Sequence, residues 1–68
     1  MTKIEAIQAM GEGKKVCHRF FGSDEWLTMT SGGLYVFEDG CEINEGLFWL
    51  YRIDAKWNDG WSVFGEDN

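Results

Sequence analysis

Proline is absent from the 68 residues, histidine occurs once and cysteine only twice. Without proline there is no stiff linker, and the tight turns fall to the nine glycines and their Asn, Asp and Ser neighbours. One His and two separated Cys, Cys17 and Cys41, make no zinc ligand cluster. The opening MTKIEAIQAM is polar and helical and lacks a secretory apolar core. A cytoplasmic protein with two reduced thiols is expected, in preference to a Cys17–Cys41 disulfide. No apolar run approaches the roughly 20 residues of a membrane span, so no membrane partner is expected. Basic residues are also scarce, six against twelve carboxylates, for a net charge of −6. A nucleic acid polymer needs a basic stripe that releases counterions. The short GKKVCHR is the one locally basic run, so DNA and RNA are not expected as partners.

Aromatics, by contrast, are abundant: four Trp, five Phe and two Tyr. That content is too rich for a disordered chain. A single small domain over residues 1–68 is expected, with GEDN at the end as a frayed acidic tail. A chain of this size buries only about 60% of its unfolded surface, so support from self-association is expected.

The patterning predicts an α+β fold: a small antiparallel sheet, an N-terminal helix and a second short helix. Thr2-Lys3-Ile4-Glu5 fits a capping box, and Ile4, Ala6, Ile7 and Met10 form an apolar stripe, predicting a helix over 3–12. Gly11 and Gly13 end it, Gly13 in a left-handed cap. Strands are predicted over 14–20 (KKVCHRF), 25–30 (EWLTMT), 34–39 (LYVFED) and 61–64 (WSVF), with CEI extending the sheet. Alternation places Leu34 and Val36 on one face, and Tyr35 and Phe37 on the other. NEGLFWLYRIDAKW reads as a helix capped by Asn44, although the aromatic and branched content of LFWLYRI equally suits a buried strand.

Chemistry has few candidates. His18 and its neighbour Cys17 point to opposite faces of a strand and form no nucleophile–base pair. His18 is either a surface or subunit-contact residue or a ligand contact. Asp24-Glu25 and Glu38-Asp39 adjoin glycines and read as solvated turns. GEGKK follows a helix and cannot offer a helix N-terminus to phosphate. An enzyme is not expected, nor any cofactor. The surplus tryptophans suggest a stacking platform for a flat heteroaromatic ring. Trp49 and Trp61 suit a core. Trp26 and Trp57 suit either subunit contacts or ligand stacking, with Asn58 and Asp59 beside Trp57 able to bond a ribose or base edge. Arg19 and Arg52, the two arginines, match phosphate by geometry or else form surface ion pairs.

IEAIQAMGEGKKVCHRFF resembles the opening of the Thoeris anti-defence protein two family of small phage proteins. Ile4, Ala6, Ile7 and Met10 match its helix, and Gly13-Lys14-Lys15-Val16 its turn into a strand. His18 and Arg19 stand at its basic positions, and Phe21 where Trp is usual. Asp59-Gly60-Trp61 is similar to its closing strand. The likeness covers the first third of the chain and its C-terminal end. It implies a sponge in the host bacterial cytoplasm. Such a protein forms a homo-oligomer, a dimer or tetramer, and sequesters small nucleotide immune signals without cleaving them. Its ligands are of the cyclic ADP-ribose type (glycocyclic ADP-ribose) and, in some members, cyclic oligonucleotides. The ligand contacts so expected are His18, Arg19, Phe21, Trp26, Trp57, Asn58 and Asp59. The alternative is a small acidic phage protein that inhibits a host defence protein by direct binding.

Overall fold

The computed structural model describes residues 1–65; the acidic tail expected at the C-terminus lies largely outside them. The fold is α+β, a five-stranded antiparallel sheet with two helices on one face. The elements run α1 (Lys3–Gly11), β1 (Val16–His18), β2 (Leu27–Met29), β3 (Leu34–Phe37), β4 (Glu42–Asn44), α2 (Glu45–Leu50), a 3₁₀ turn (Ala55–Trp57) and β5 (Trp61–Val63). Strand order is β4-β3-β2-β1-β5, so the last strand returns to lie beside the first.

Thr2 and Glu5 start α1 by closing both halves of the capping box. The Thr2 hydroxyl accepts from Glu5 N–H at 3.2 Å, and a Glu5 carboxylate oxygen accepts from Thr2 N–H at 2.8 Å. Those bonds hold the Glu5 carboxyl below its usual range. Their contribution is therefore complete above the unfolded pKa and is lost as pH falls through the lowered folded value. Thr2→Ala should destabilise the protein by about 1 kcal/mol. The comparison that checks this is urea unfolding of both proteins near neutral pH and again at low pH. The deficit should shrink in acid.

The buried side of α1 differs from the expected stripe. Ala6, Ala9 and Met10 are buried and Ile7 is partly so, while Ile4 is exposed. Two alanines let the helix axis come close to the sheet, a contact the apolar spacing alone did not rank above Ile4. The chain leaves α1 through Gly13 at φ +88°, the left-handed residue expected there.

Register sets the sheet's two faces. Val16 pairs with Leu27 and Val63, His18 with Trp61, Leu27 with Phe37, Met29 with Tyr35, and Tyr35 with Ile43. All of these therefore share the face covered by the helices, and Cys17, Thr28, Val36 and Ser62 lie on the other. Ala6, Ala9, Met10, Val16, Leu27, Tyr35, Phe48 and Trp61 form one buried cluster. Tyr35 is fully buried with its hydroxyl accepting from Trp49 Nε1 at 2.9 Å, and burial pushes its pKa up.

Several strands are shorter than predicted. The first ends at His18 because Phe21 N–H turns back onto the His18 carbonyl at 2.8 Å. Arg19 is thus beyond the strand, and alternation with His18 does not place it. Residues 44–57 form neither one helix nor a strand. Asn44 caps α2 through Gly46 N–H as expected, but the helix closes at Leu50 and a 3₁₀ turn follows. The outer edge of β5 is closed by Met1, which exchanges two hydrogen bonds with Trp61, at 2.7 and 3.1 Å. Unpaired edges invite association, and this one is occupied along part of its length.

Candidate functional site

The segment from Lys56 to Trp61 folds over the end of β1, and His18 is the post it is tied to. His18 is 4% exposed, the one buried polar side chain among the described residues. Its Nδ1 accepts from Phe20 N–H at 3.1 Å. That assigns the proton to Nε2, which lies 2.7 Å from the Asp59 carbonyl and 3.0 Å from the Lys56 carbonyl. Both ring nitrogens are thus consumed by backbone. The ring sits 4.4 Å from Trp57 and 4.8 Å from Trp61 between centroids, with Phe20 and Phe21 further out.

Gly60 allows the chain to pass. Its φ is +87°, and a Cβ there would lie 2.9 Å from Arg19 Nε and 3.1 Å from His18 Nε2. A side chain there is strained by conformation and would press on Arg19 and His18. Arg19 N–H donates to the Gly60 carbonyl at 3.0 Å, and Asn58 accepts from Lys3 N–H at 2.8 Å. One short segment therefore binds β1 and the start of α1 together.

Over this frame the protein gathers cations around two rings. Phe20 is 58% exposed and meets the half-buried Trp57 edge-on, 6.1 Å between centroids. The Arg19 guanidinium lies 5.6 Å from the Phe20 ring, and Lys56 Nζ lies 5.5 Å from Phe20 and 5.7 Å from Trp57. Arg52 lies 5.4 Å from Trp57 and 4.0 Å from Phe48. Three of the six basic residues of a chain with net charge −6 thus converge on one aromatic pair. A surface that sets cations beside two rings can stack a planar ring and hold an adjoining anion.

Of the seven residues expected to touch ligand, six are brought together here and one is not. Trp26 stands on the opposite face of the sheet, half-buried, 6.5 Å from Phe64 and beneath Lys15 Nζ at 4.4 Å. It sits there because it precedes Leu27, whose side chain points into the core. His18 belongs to the frame and offers no free ring nitrogen; neither a surface role nor direct ligand contact fits its burial. Phe21 is half-buried and packs edge-on against Trp61 at 5.6 Å, so it too supports from below. Arg19 forms a surface ion pair, the alternative to phosphate contact, with Asp59 at 3.0 Å rather than with a carboxylate near it in sequence. Trp57, Asn58 and Asp59 reach the surface.

Arg52 has no such pair. Its guanidinium is partly desolvated against Phe48, which lowers its pKa, and no carboxylate lies within ion-pair distance among the described residues. The sequence nominates neither Phe20 nor Lys56 for the site, and for Arg52 it leaves phosphate contact and a surface ion pair both open. The signal available was Arg52-Lys56-Trp57, cations four residues apart leading into the Trp. Comparison with protein-family models, curated proteins and solved structures finds no match to this chain.

Proposed function

We propose that this protein is a non-enzymatic nucleotide-binding sponge. It sequesters a small nucleotide signal of the cyclic ADP-ribose or cyclic oligonucleotide type, and acts as a homo-oligomer in the cytoplasm of a phage-infected bacterium. The observation that carries the reading is the convergence of Arg19, Arg52 and Lys56 on Phe20 and Trp57 in an acidic protein. A nucleotide has a flat ring for the aromatic faces and phosphate for the cations, whereas a nucleic acid polymer would extend past so small a patch onto a protein of net charge −6. The resemblance of residues 4–21 to anti-defence proteins points to the same ligand class.

Among the described residues no cavity opens in the single chain. A ligand on this patch lies on an open surface, and burying it takes a second copy. An apolar face is at hand for association. Leu47, Leu50 and Tyr51 share one side of α2, and with Ile53 they are 49–79% exposed. The same face favours the second reading, direct inhibition of a host protein, because it would serve a foreign partner equally well.

The two are separated with purified protein. Light scattering should give a dimer or tetramer, and calorimetry against cyclic ADP-ribose isomers, ADP-ribose and cyclic dinucleotides should give a saturable heat. Heating should return the nucleotide chemically intact. Phe20→Ala should weaken that binding by about 1–3 kcal/mol with little change in melting temperature, because the ring it removes is mostly in water. A monomer that binds none of these nucleotides, but co-purifies with one host protein until Leu50 and Tyr51 are made polar, establishes the inhibitor reading.

A further inference from the structure

Resting on the self-association in that reading, and not on its ligand, we infer that two copies of this chain pair along the free edge of β4. The strands run antiparallel and continue one sheet across a two-fold axis at Ile43. A sheet of order β4-β3-β2-β1-β5 has two outer edges. On β5 the outward N–H and carbonyl of Trp61 are taken by Met1, at 3.1 and 2.7 Å. Among the described residues no segment pairs with the outer side of β4. A row of unpaired backbone groups is a template for another strand. Met1 obstructs the head-to-tail joining of β4 to a neighbour's β5, which would run on into a fibre. What remains is β4 against β4, which closes as a dimer.

The ladder within the chain decides which groups point outward. Thr30 N–H donates to the Leu34 carbonyl at 2.8 Å, and Phe37 N–H to the Cys41 carbonyl at 2.9 Å. Bonded and non-bonded pairs alternate in an antiparallel ladder. Leu34 and Val36 therefore bond β2, Tyr35 and Phe37 bond toward β4, and Ile43 is the β4 residue that faces β3. Glu42 and Asn44 turn their N–H and carbonyl groups outward. The Asn44 carbonyl serves α2 as its N-cap acceptor, which leaves two N–H groups and the Glu42 carbonyl for a partner. Two registers bring these groups together. One sets Glu42 opposite its own counterpart, and like charges directly opposite are destabilising. The other sets Ile43 opposite its counterpart, so that each Asn44 N–H meets a Glu42 carbonyl and each Glu42 side chain stands opposite an Asn44 side chain. Asn44 Oδ1 already accepts from Gly46 N–H at 2.8 Å, so its free amide NH₂ is the group turned to that carboxylate. The register centred on Ile43 is self-complementary.

α2 adds apolar area at the seam. Phe48 meets Tyr35 and Phe37, and Trp49 meets Trp61, so Trp49 is turned toward the centre of the sheet. Leu47 stands on the opposite flank of the helix from Trp49, on the side of the free β4 edge, with Tyr51 one turn further on. These two side chains are 49% and 76% exposed. A two-fold axis normal to the sheet at Ile43 sets both copies of α2 on the same face and brings these flanks together. Three-residue edges make few bonds, and burial of the flank supplies what they lack.

Sedimentation over a dilution series reads dimer dissociation. Asn44→Asp keeps the α2 cap, because Asp caps as well as Asn. It sets carboxylate against carboxylate twice per dimer and should weaken association by about 10-fold. Adding Glu42→Lys should restore association, because opposite charges then face each other. In amide exchange the Glu42 and Asn44 N–H groups should slow as concentration rises, while the Ile43 N–H, bonded to Tyr35 within one chain, should not depend on concentration. Should both variants fail to fold, exchange in the unaltered protein decides alone. Amides at Glu42 and Asn44 that exchange equally fast in dimer and monomer overturn the pairing. So does a dimer that Asn44→Asp leaves intact, or a weakening that Glu42→Lys does not reverse. A chain that is monomeric at every concentration overturns the pairing together with the self-association it rests on. A dimer that passes these tests and binds no nucleotide keeps the edge pairing and defeats the nucleotide reading alone.

Discussion

Trp61→Ala should leave little folded protein at room temperature. Removal of a buried aromatic costs about 3–5 kcal/mol. A domain of this length has a total stability of only about 3–10 kcal/mol, at roughly 0.05–0.15 kcal/mol per residue. Trp61 is 2% exposed, and its ring meets Phe21 and Trp49 edge-on, each at 5.6 Å between centroids. Its Nε1 donates to the Trp57 carbonyl at 2.8 Å, so the indole both fills the core and holds the 3₁₀ turn against it. Trp61→Phe separates the two contributions. It keeps most of the apolar area and leaves one carbonyl without its donor, and should cost about 1–3 kcal/mol. Urea unfolding followed by far-UV circular dichroism measures both. An alanine variant that unfolds within about 1 kcal/mol of the parent would show that Trp61 is not the centre of this core.

His18→Ala is expected to have the second largest effect, and on folding before binding. The substitution strips the acceptor from Phe20 N–H and the donor from the Lys56 and Asp59 carbonyls, and empties a space walled by Trp57 and Trp61. Stability should fall by about 3 kcal/mol, combining lost packing with backbone groups left unpaired. Amide exchange should quicken at Phe20 and at Arg19, whose N–H bonds Gly60 within the same fastening. A variant with unchanged melting temperature but weakened nucleotide binding would assign His18 to the ligand. In that case the tie between β1 and residues 56–60 would not be what holds the segment down. Trp57 stands between these cases. Half-buried and 4.4 Å from His18, it cannot be a detached stacking surface, and its removal should cost stability as well as affinity.

Local signals were legible wherever the responsible groups are close in sequence. The α1 capping box, the Asn44 cap, the positive φ of Gly13, and the alternation of Leu34 and Val36 with Tyr35 and Phe37 all depend on a few neighbouring residues. The length of α2 was not legible. LFWLYRI has apolar residues at spacings that suit helix and strand, and the outcome turned on Phe48 packing against Tyr35 at 5.3 Å from a distant strand.

The candidate site was legible in part for the same reason. Trp57, Asn58 and Asp59 could be nominated from a single turn. That Arg19 would meet Asp59, forty residues away, and that Phe20 would meet Trp57 both follow from β5 pairing with β1. No property of the segments alone specifies that pairing.

Composition and short-range pattern were enough to establish an acidic, aromatic-rich α+β chain with glycine turns and a capped first helix, because charge, propensity and capping act over a turn or less. Tertiary structure alone decided where the aromatics and cations meet. Strand order put the C-terminal strand beside the first and turned His18 from a candidate ligand contact into a buried fastening. It also sent Trp26 to the far face and left Arg52 beside Trp57 with no carboxylate at ion-pair distance among the described residues. Those outcomes depend on which distant side chains compete for the same buried volume and the same backbone carbonyls. That competition is settled only when the whole chain is packed.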